Sequence, residues 1–481
     1  MGPGDGGGTA RARARLLAAT VLAGAVALSA LAPPADAQDA GRRLTVGVTA
    51  GATANDNIRL RPGGGDGTAS ADARLDFSYV ERTPIQSLRL AGSGDYRAVG
   101  GDGAGDDLTG LDGPSLSFGY ERAVPSAALS ANAFYNRRRL ELDGTRGRLT
   151  GFLENPFNPI LGDPSLLDLD PEDFALLDPE DIEIDPVLVS DILGDLIDED
   201  DEGIRERFGV STRLTLRRDT PLQVVLSAST TAVRYSDGAV QGDTDTVRLG
   251  AGLRFLLDPV TTGALDLSYG TFEDEATVAE GSTGAVILDE ASDLESVGVS
   301  GSLTRRVPLG RYGVSANTTE TDDGRRYGFT LNASRRLPLW DLDGRIGLTR
   351  ETTGDLETVG RLSVSRALPR GDVQLDATRS VLSGEDGDER VVTTLGLDYA
   401  LALTPIVDLS ADAAFVSSTA TRGRDDESEG FVGVRLSRAL TEDLTASVGL
   451  RHRFEDDGRS GGTARDNVLT LDLRRSFTFL P

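Results

Sequence analysis

The feature that most restricts this chain is an alternation of apolar and polar residues with a period of two, which recurs through residues 44–479. A β-strand turns successive side chains to opposite faces, so this period specifies half-buried strands, whereas a helix would need a period of 3.6. Ala71, Ala73, Leu75, Phe77 and Tyr79 interleave with Asp72, Arg74, Asp76 and Ser78, and Leu409, Ala411, Ala413 and Phe415 do the same with Asp408, Ser410 and Asp412. One face of each strand is apolar and the other is charged. The 58 glycines and 20 prolines suit a β-rich chain with many turns, and the absence of cysteine excludes a disulfide framework and any thiolate metal site.

Two architectures use such strands. In a water-soluble sandwich the apolar face points to a core, and in a transmembrane barrel it points to lipid. The aromatic residues separate them. Tyr79, Tyr120, Phe255 and Tyr399 precede one class of turn; Tyr96, Tyr135, Tyr235, Tyr269, Phe415 and Phe454 precede the other, and Phe208 and Tyr327 open strands that leave it. Rings at both strand ends with Leu, Val, Ala and Gly between them make the two interfacial girdles of a barrel, whereas a sandwich core would hold its rings centrally.

The connections alternate as well. Short turns pair a basic residue with a proline, as in Arg82-Thr83-Pro84, Arg122 with Pro125, Arg218 with Pro221, Arg305-Arg306-Val307-Pro308, Arg335-Arg336-Leu337-Pro338 and Arg366-Ala367-Leu368-Pro369. Proline presets a turn and cannot join a ladder. Between these turns lie longer Gly/Asp-rich connections at 100–113, 273–294, 384–389, 422–428 and 455–466. Pro308, Pro338 and Pro369 are about thirty residues apart, the length of one hairpin plus its connections. The expected fold is all-β: a single large antiparallel up-and-down transmembrane barrel of about 18–20 strands.

The N-terminus supplies an address. Arg11, Arg13 and Arg15 precede an apolar run over 16–32, and Ala35-Asp36-Ala37 follows Pro33-Pro34, the pattern of a cleaved secretory signal peptide at 1–37. The remainder, 38–481, contains no run of ~18 apolar residues able to span a bilayer as a helix. Barrel closure is then the way to cross a membrane, and the expected location is the bacterial outer membrane. A net charge of −28, from 77 acidic and 49 basic residues, excludes nucleic acid as a partner.

One connection, the insertion 140–205, breaks the pattern. Residues 150–203 hold eighteen Asp or Glu and no Lys or Arg. Asp170-Pro171-Glu172-Asp173 has the form of a helix start, with a cap, a proline at the first position and acids against the dipole. Leu166, Leu167, Phe174, Leu176 and Leu177 provide apolar surface for packing. Following the fifth strand, the insertion resembles the constriction loop of general porins, and Asp170, Glu172, Asp173, Asp178, Glu180 and Asp181 would then favour cations. An acidic cap outside the barrel is the open alternative. The spacing of a calcium loop is absent.

Parity places Arg74, Asp76, Arg248, Arg254, Asp266, Arg345, Arg361, Asp376, Asp398, Asp412, Asp472 and Arg474 on the inferred lumen face, where opposed charges would act on polar solutes. Cross-strand ion pairing that satisfies a wet interior is the competing account of any one of them. The single histidine, His452, shares parity with Leu450 and Phe454 on the lipid side near a girdle, so although a rim acid such as Asp456 or Asp457 could orient it, no enzyme and no cofactor is expected.

Thr53-Ala54-Asn55-Asp56-Asn57-Ile58 resembles the Asp-Asn signature just after the first strand of β-barrel porins associated with exopolysaccharide export. That resemblance implies a conduit or accessory for polysaccharide or small polar solutes. Leu469, Leu471, Leu473, Phe477 and Phe479 share parity, similar to the terminal strand read by the outer-membrane assembly machinery, although Leu480 and Pro481 follow. The leading expectation is a porin-like channel for passive diffusion of small polar or cationic solutes. The alternatives are an accessory barrel for exopolysaccharide export and a structural or adhesive barrel without a pore. The implied partners are outer-membrane lipid and lipopolysaccharide, the assembly machinery, and the solute or polysaccharide, with a homotrimer as an open assembly. No segment before the first strand has the size of a plug or a passenger, which disfavours energised uptake and autotransport.

Overall fold

The computed structural model describes residues 41–57, 67–101, 109–139, 204–236, 243–274, 278–280, 286–288, 292–321, 324–350, 354, 356–383, 389–420, 427–456 and 463–479. The signal segment 1–37 lies outside the described residues, as does the acidic insertion up to residue 203 with Asp170, Glu172, Asp173, Asp178, Glu180 and Asp181.

Every regular element among the described residues is a strand. The first nine are β1 (Arg42–Asn55), β2 (Thr68–Thr83), β3 (Gln86–Gly101), β4 (Gly110–Val124), β5 (Ala127–Arg139), β6 (Ile204–Leu216), β7 (Leu222–Ser236), β8 (Thr244–Asp258) and β9 (Thr261–Asp274). A separate small hairpin follows, β10 (Val278–Glu280) with β11 (Val286–Leu288). The ring resumes with β12 (Ser292–Val307), β13 (Gly310–Thr321), β14 (Gly324–Arg336), β15 (Trp340–Arg350), β16 (Leu356–Leu368) and β17 (Gly371–Ser383). It ends with β18 (Glu389–Thr404), β19 (Val407–Ala420), β20 (Glu427–Ala439), β21 (Leu444–Asp456) and β22 (Ala464–Phe479). Each ring strand pairs antiparallel with its neighbours in sequence, β9 pairs with β12, and β22 pairs with β1, so a 20-stranded sheet closes on itself. At ~4.8 Å between strands and a tilt of ~40°, twenty strands make a ring about 40 Å across between backbones.

The predicted prolines sit in the short turns. Pro84, Pro308 and Pro369 each follow directly on the strand they end, in two-residue connections. Leu309 takes a positive φ of 70° after Pro308, as the third residue of a type II turn must. The long connections lie at the opposite rim, and the one at 273–294 carries the extra hairpin that alternation did not predict.

Register fixes which face each residue takes. Leu75, Leu265, Leu267, Ile346, Leu450 and Leu471 are each more than half exposed, and all belong to the outward set. On β8 that set reads Val247, Leu249, Ala251, Leu253 and Phe255 and is bounded by Asp245. Eight steps of ~3.4 Å at a tilt of ~40° give a belt about 21 Å tall, close to the ~25 Å apolar band of outer-membrane barrels. In water such a belt would drive aggregation; in hydrocarbon it is the required face.

Aromatic rings with polar anchors edge the belt. At the long-connection rim the Tyr135 hydroxyl donates to Glu206 at 3.0 Å, and Phe415 and Phe454 stack at 6.4 Å over Gly430. At the short-turn rim Tyr79 donates to Glu81 at 3.0 Å, and the Arg366 guanidinium covers Trp340 at 4.8 Å. Tyr235 departs from the sequence reading. It stands opposite Arg205 on the inner face, because a girdle assignment by distance from a turn ignores parity.

Candidate functional site in the barrel lumen

Between the charges, much of the inner face is built from small and hydroxylated residues. On β1 it reads Thr45, Gly47, Thr49, Gly51 and Thr53. The glycines make room for carboxylates reaching across from neighbouring strands. A Cβ on Gly51 would meet Asp72 at 2.5 Å and Asp472 at 2.8 Å, and one on Gly47 would collide with Asp76.

The structure places all twelve charged candidates on this inner face: Arg74 and Asp76 on β2, Arg248 and Arg254 on β8, and Asp266 on β9. Arg345, Arg361, Asp376, Asp398 and Asp412 follow on β15 to β19, with Asp472 and Arg474 on β22. Several come together. Arg474 reaches Asp76 at 3.3 Å across β1, Arg435 reaches Asp472 at 3.7 Å, and Arg74 reaches Asp95 at 3.6 Å. Arg361 lies 3.9 Å from Asp376, which also accepts from Gln374 at 2.7 Å. Arg451 donates to Asp412 at 2.7 Å, and Asp412 stands opposite Asp398 in register. In register, Arg248 stands opposite Ser229 and Gly270.

Closure reveals an order that a residue list could not. The inner faces of β17, β18 and β19 hold Asp372, Asp376, Asp398, Asp408 and Asp412. Those of β5, β6 and β8 hold Arg138, Arg205, Arg207, Arg213, Arg248 and Arg254. Ten strands separate β7 from β19 in a ring of twenty, so the acidic and basic arcs face each other across the lumen. Arg138, Arg205, Arg207 and Arg213 were missed as candidates, although the parity of β6 would have found three of them. Every cation in the chain is arginine; the sequence contains no lysine.

A second constellation sits where the first and last strands meet. Asp466 is 0% exposed and Arg453 3%, and the Arg453 guanidinium grips the Asp466 carboxylate, with Nε at 3.0 Å. The other carboxylate oxygen accepts the backbone N–H of Asn57 at 3.1 Å, while the Asn57 side-chain amide donates to the Arg465 carbonyl at 2.9 Å. Beside it, Asn467 donates to Asp56 from its backbone at 2.7 Å and from its side chain at 2.6 Å. Burial pulls the Asp56 carboxyl up, but those bonds from Asn467 outweigh it and hold the group below the usual carboxylate range. Since the Asn467 amide nitrogen is turned to Asp56, its oxygen accepts from His452 Nδ1 at 2.9 Å. The lone histidine therefore has an amide as its partner and sits on the outward face. The Asp-Asn pair after β1 is thus a latch across the β22–β1 seam.

The inner wall is packed close to this latch. Val392, Ala414, Val416, Phe431 and Val468 are each at most 5% exposed on the inner faces of β18, β19, β20 and β22.

A closed 20-strand ring with an apolar exterior, two girdles and a polar interior defines a transmembrane β-barrel of the outer-membrane class. No protein-family model matches the chain, and no curated protein matches it. Among solved structures, the ferric-catecholate import receptor Fiu from E. coli K12 is similar in fold with a TM-score of 0.51 at 9% identity, over 92% of this chain and 82% of that one. The siderophore receptor PirA from Pseudomonas aeruginosa aligns over 92% of this chain and 81% of its own at 12% identity, with a TM-score of 0.46. At these identities the likeness is one of barrel architecture.

Proposed function

We propose that this barrel is a porin-like channel through which small polar solutes cross the outer membrane passively, guided by the charged inner wall. The observation that carries the reading is the pair of opposed arcs on a ring about 40 Å across, a width at which twenty strands enclose an aqueous lumen unless side chains or loops fill it. Charges on such a wall act on solutes that pass close to it. The acidic residues of 150–203 tilt the balance toward cations. The likeness to an import receptor is one of fold and brings no ligand with it.

Stepwise conductance in planar bilayers, with a reversal potential that favours cations, is the expected behaviour of the purified, folded protein. Folded protein, verified by heat-modifiable migration, that passes no current would refute the channel. A barrel that serves polysaccharide export without admitting small ions would give that same silence together with an altered surface polysaccharide on deletion.

A further inference from the structure

The outer face treats its arginines differently at the two rims. At the long-connection rim outward arginines come with carboxylates on neighbouring strands: Arg137 lies 3.5 Å from Glu206, Arg234 lies 2.8 Å from Asp245, and Arg325 pairs with Glu320. At the short-turn rim Arg122, Arg305, Arg335, Arg366 and Arg438 continue the outward sets of β4, β12, β14, β16 and β20, each within two residues of its strand's end. Among the described residues, Arg122, Arg335 and Arg438 make no ion pair or hydrogen bond.

Three of the five stand on alternate strands, β12, β14 and β16, about 10 Å apart at ~4.8 Å per strand. Between them the outward face adds Tyr312, opposite Arg305, and Trp340, over which the Arg366 guanidinium lies at 4.8 Å. Exposed Leu309 and Leu339 occupy the adjoining turns. Carboxylates of this stretch pair on the inner side, Asp341 with Arg336 at 3.2 Å and Asp343 with Arg311 at 3.9 Å. Arg305 also acts on Asp258 at the end of β8, whose carboxylate accepts the backbone N–H of Val260 at 2.8 Å.

An arginine placed there sits where hydrocarbon gives way to headgroups. Its stem lies along the apolar belt while the guanidinium reaches the interface, beside rings that tolerate one wet and one dry side. Guanidinium is planar and holds a phosphate through two parallel hydrogen bonds. Each arginine near a membrane surface favours anionic lipid by roughly fivefold. The patch is continuous with the lipid-facing belt, so lipid is already its neighbour. At the long-connection rim the carboxylates compete for the same guanidinium groups. Short turns face the periplasm in outer-membrane barrels, which selects the leaflet.

We propose that the outer face between β12 and β16 at the short-turn rim is a binding site for anionic phospholipid of the periplasmic leaflet. Arg305, Arg335 and Arg366 take the headgroup phosphates, and Trp340, Leu309 and Leu339 meet the glycerol and acyl region. The site is independent of whether the lumen conducts.

Trp340 is the one tryptophan in the chain and therefore reports from within the patch. Full-length protein is folded into phosphatidylcholine vesicles containing a small, equal fraction of brominated phosphatidylglycerol or brominated phosphatidylcholine, and the quenching of Trp340 is compared. Phosphatidylglycerol should be favoured about fivefold or more. R305Q/R335Q, which leaves Arg366 over Trp340, should reduce that preference to below about twofold. R438Q, four strands from β16, should keep the wild-type preference. Equal quenching by the two lipids, or an unchanged preference in R305Q/R335Q, overturns the site. A loss in R438Q as large as in the double variant would mean a diffuse positive collar and overturns it too. Millimolar inorganic phosphate should leave quenching by phosphatidylglycerol as it is; displacement would assign the arginines to a soluble anion and sink the lipid. If R305Q/R335Q fails to fold by heat-modifiable migration, R335Q alone decides: a fall in preference of about twofold or more supports the site, and no fall overturns it.

Discussion

The seam cluster and the acidic arc use the same residue types in different surroundings. At the seam, Arg453 and Asp466 are sealed from water and joined by Asn57. In the arc, Arg451 and Asp412 make a comparable contact while 23% and 29% of their side chains stay exposed. Removing charge from water costs several kcal/mol per ion and is offset only by near-complete pairing, so the seam pair is committed to structure. A partly exposed pair keeps part of its hydration and contributes little to stability. Arginine and aspartate in a barrel wall thus acquire their role from the water around them.

The largest expected effect tests the dry side of this contrast. Asp466→Ala leaves the Arg453 guanidinium buried without its carboxylate, and the loss should be about 3–5 kcal/mol, read as a lower urea midpoint for the folded, heat-modifiable form in lipid vesicles. A loss below ~1 kcal/mol would mean that water reaches the seam and would erase the distinction. On the wet side, Asp412→Asn should cost under ~1 kcal/mol in the same titration and move the reversal potential toward anions, since it removes a negative wall charge. Large destabilisation there would make the arc structural as well.

Acid sharpens the comparison within the latch. The Asp56 carboxyl is held below its ordinary value, so its contribution is fully present above the unfolded-state pKa and disappears as pH falls through the lower folded value. Wild-type protein should therefore lose part of its margin over Asp56→Ala below about pH 4, seen as converging urea midpoints. A margin that stays constant through acid would show that the Asn467 bonds do not depend on the ionised carboxylate. The smallest effect is expected at the short-turn rim, where Arg336 and Asp341 meet at 3.2 Å while mostly exposed. Arg336→Gln should change the midpoint by less than ~0.5 kcal/mol.

Much of this was legible in the sequence because barrel strands are local objects. Alternation, the turn prolines and the rings at strand ends each depend on neighbours within a few residues, and they suffice for the strand count and for the face on which Asp398 or Arg254 lies. What the sequence could not supply depends on closure. Asn57 and Asp466 are 409 positions apart and meet only because β22 pairs with β1. The opposition of the β5–β8 arginines to the β17–β19 aspartates requires the ring order, and parity alone scatters both around an unknown circle. The register shifts between Ser93 and Asp95 and between Ala402 and Thr404 also left no clear mark in the alternation.

The pairing of β1 with β22 extends from Leu44 opposite Phe479 to Asn55 opposite Val468, as long as that of β13 with β14. The architecture consequently does not depend on which strand the ribosome makes first. A circularly permuted chain, cut in the turn between Thr404 and Val407 and joined by a short linker between residues 41 and 479, retains every neighbour relation along the circumference. Chain order becomes a property of the gene, and the native state answers only to adjacency.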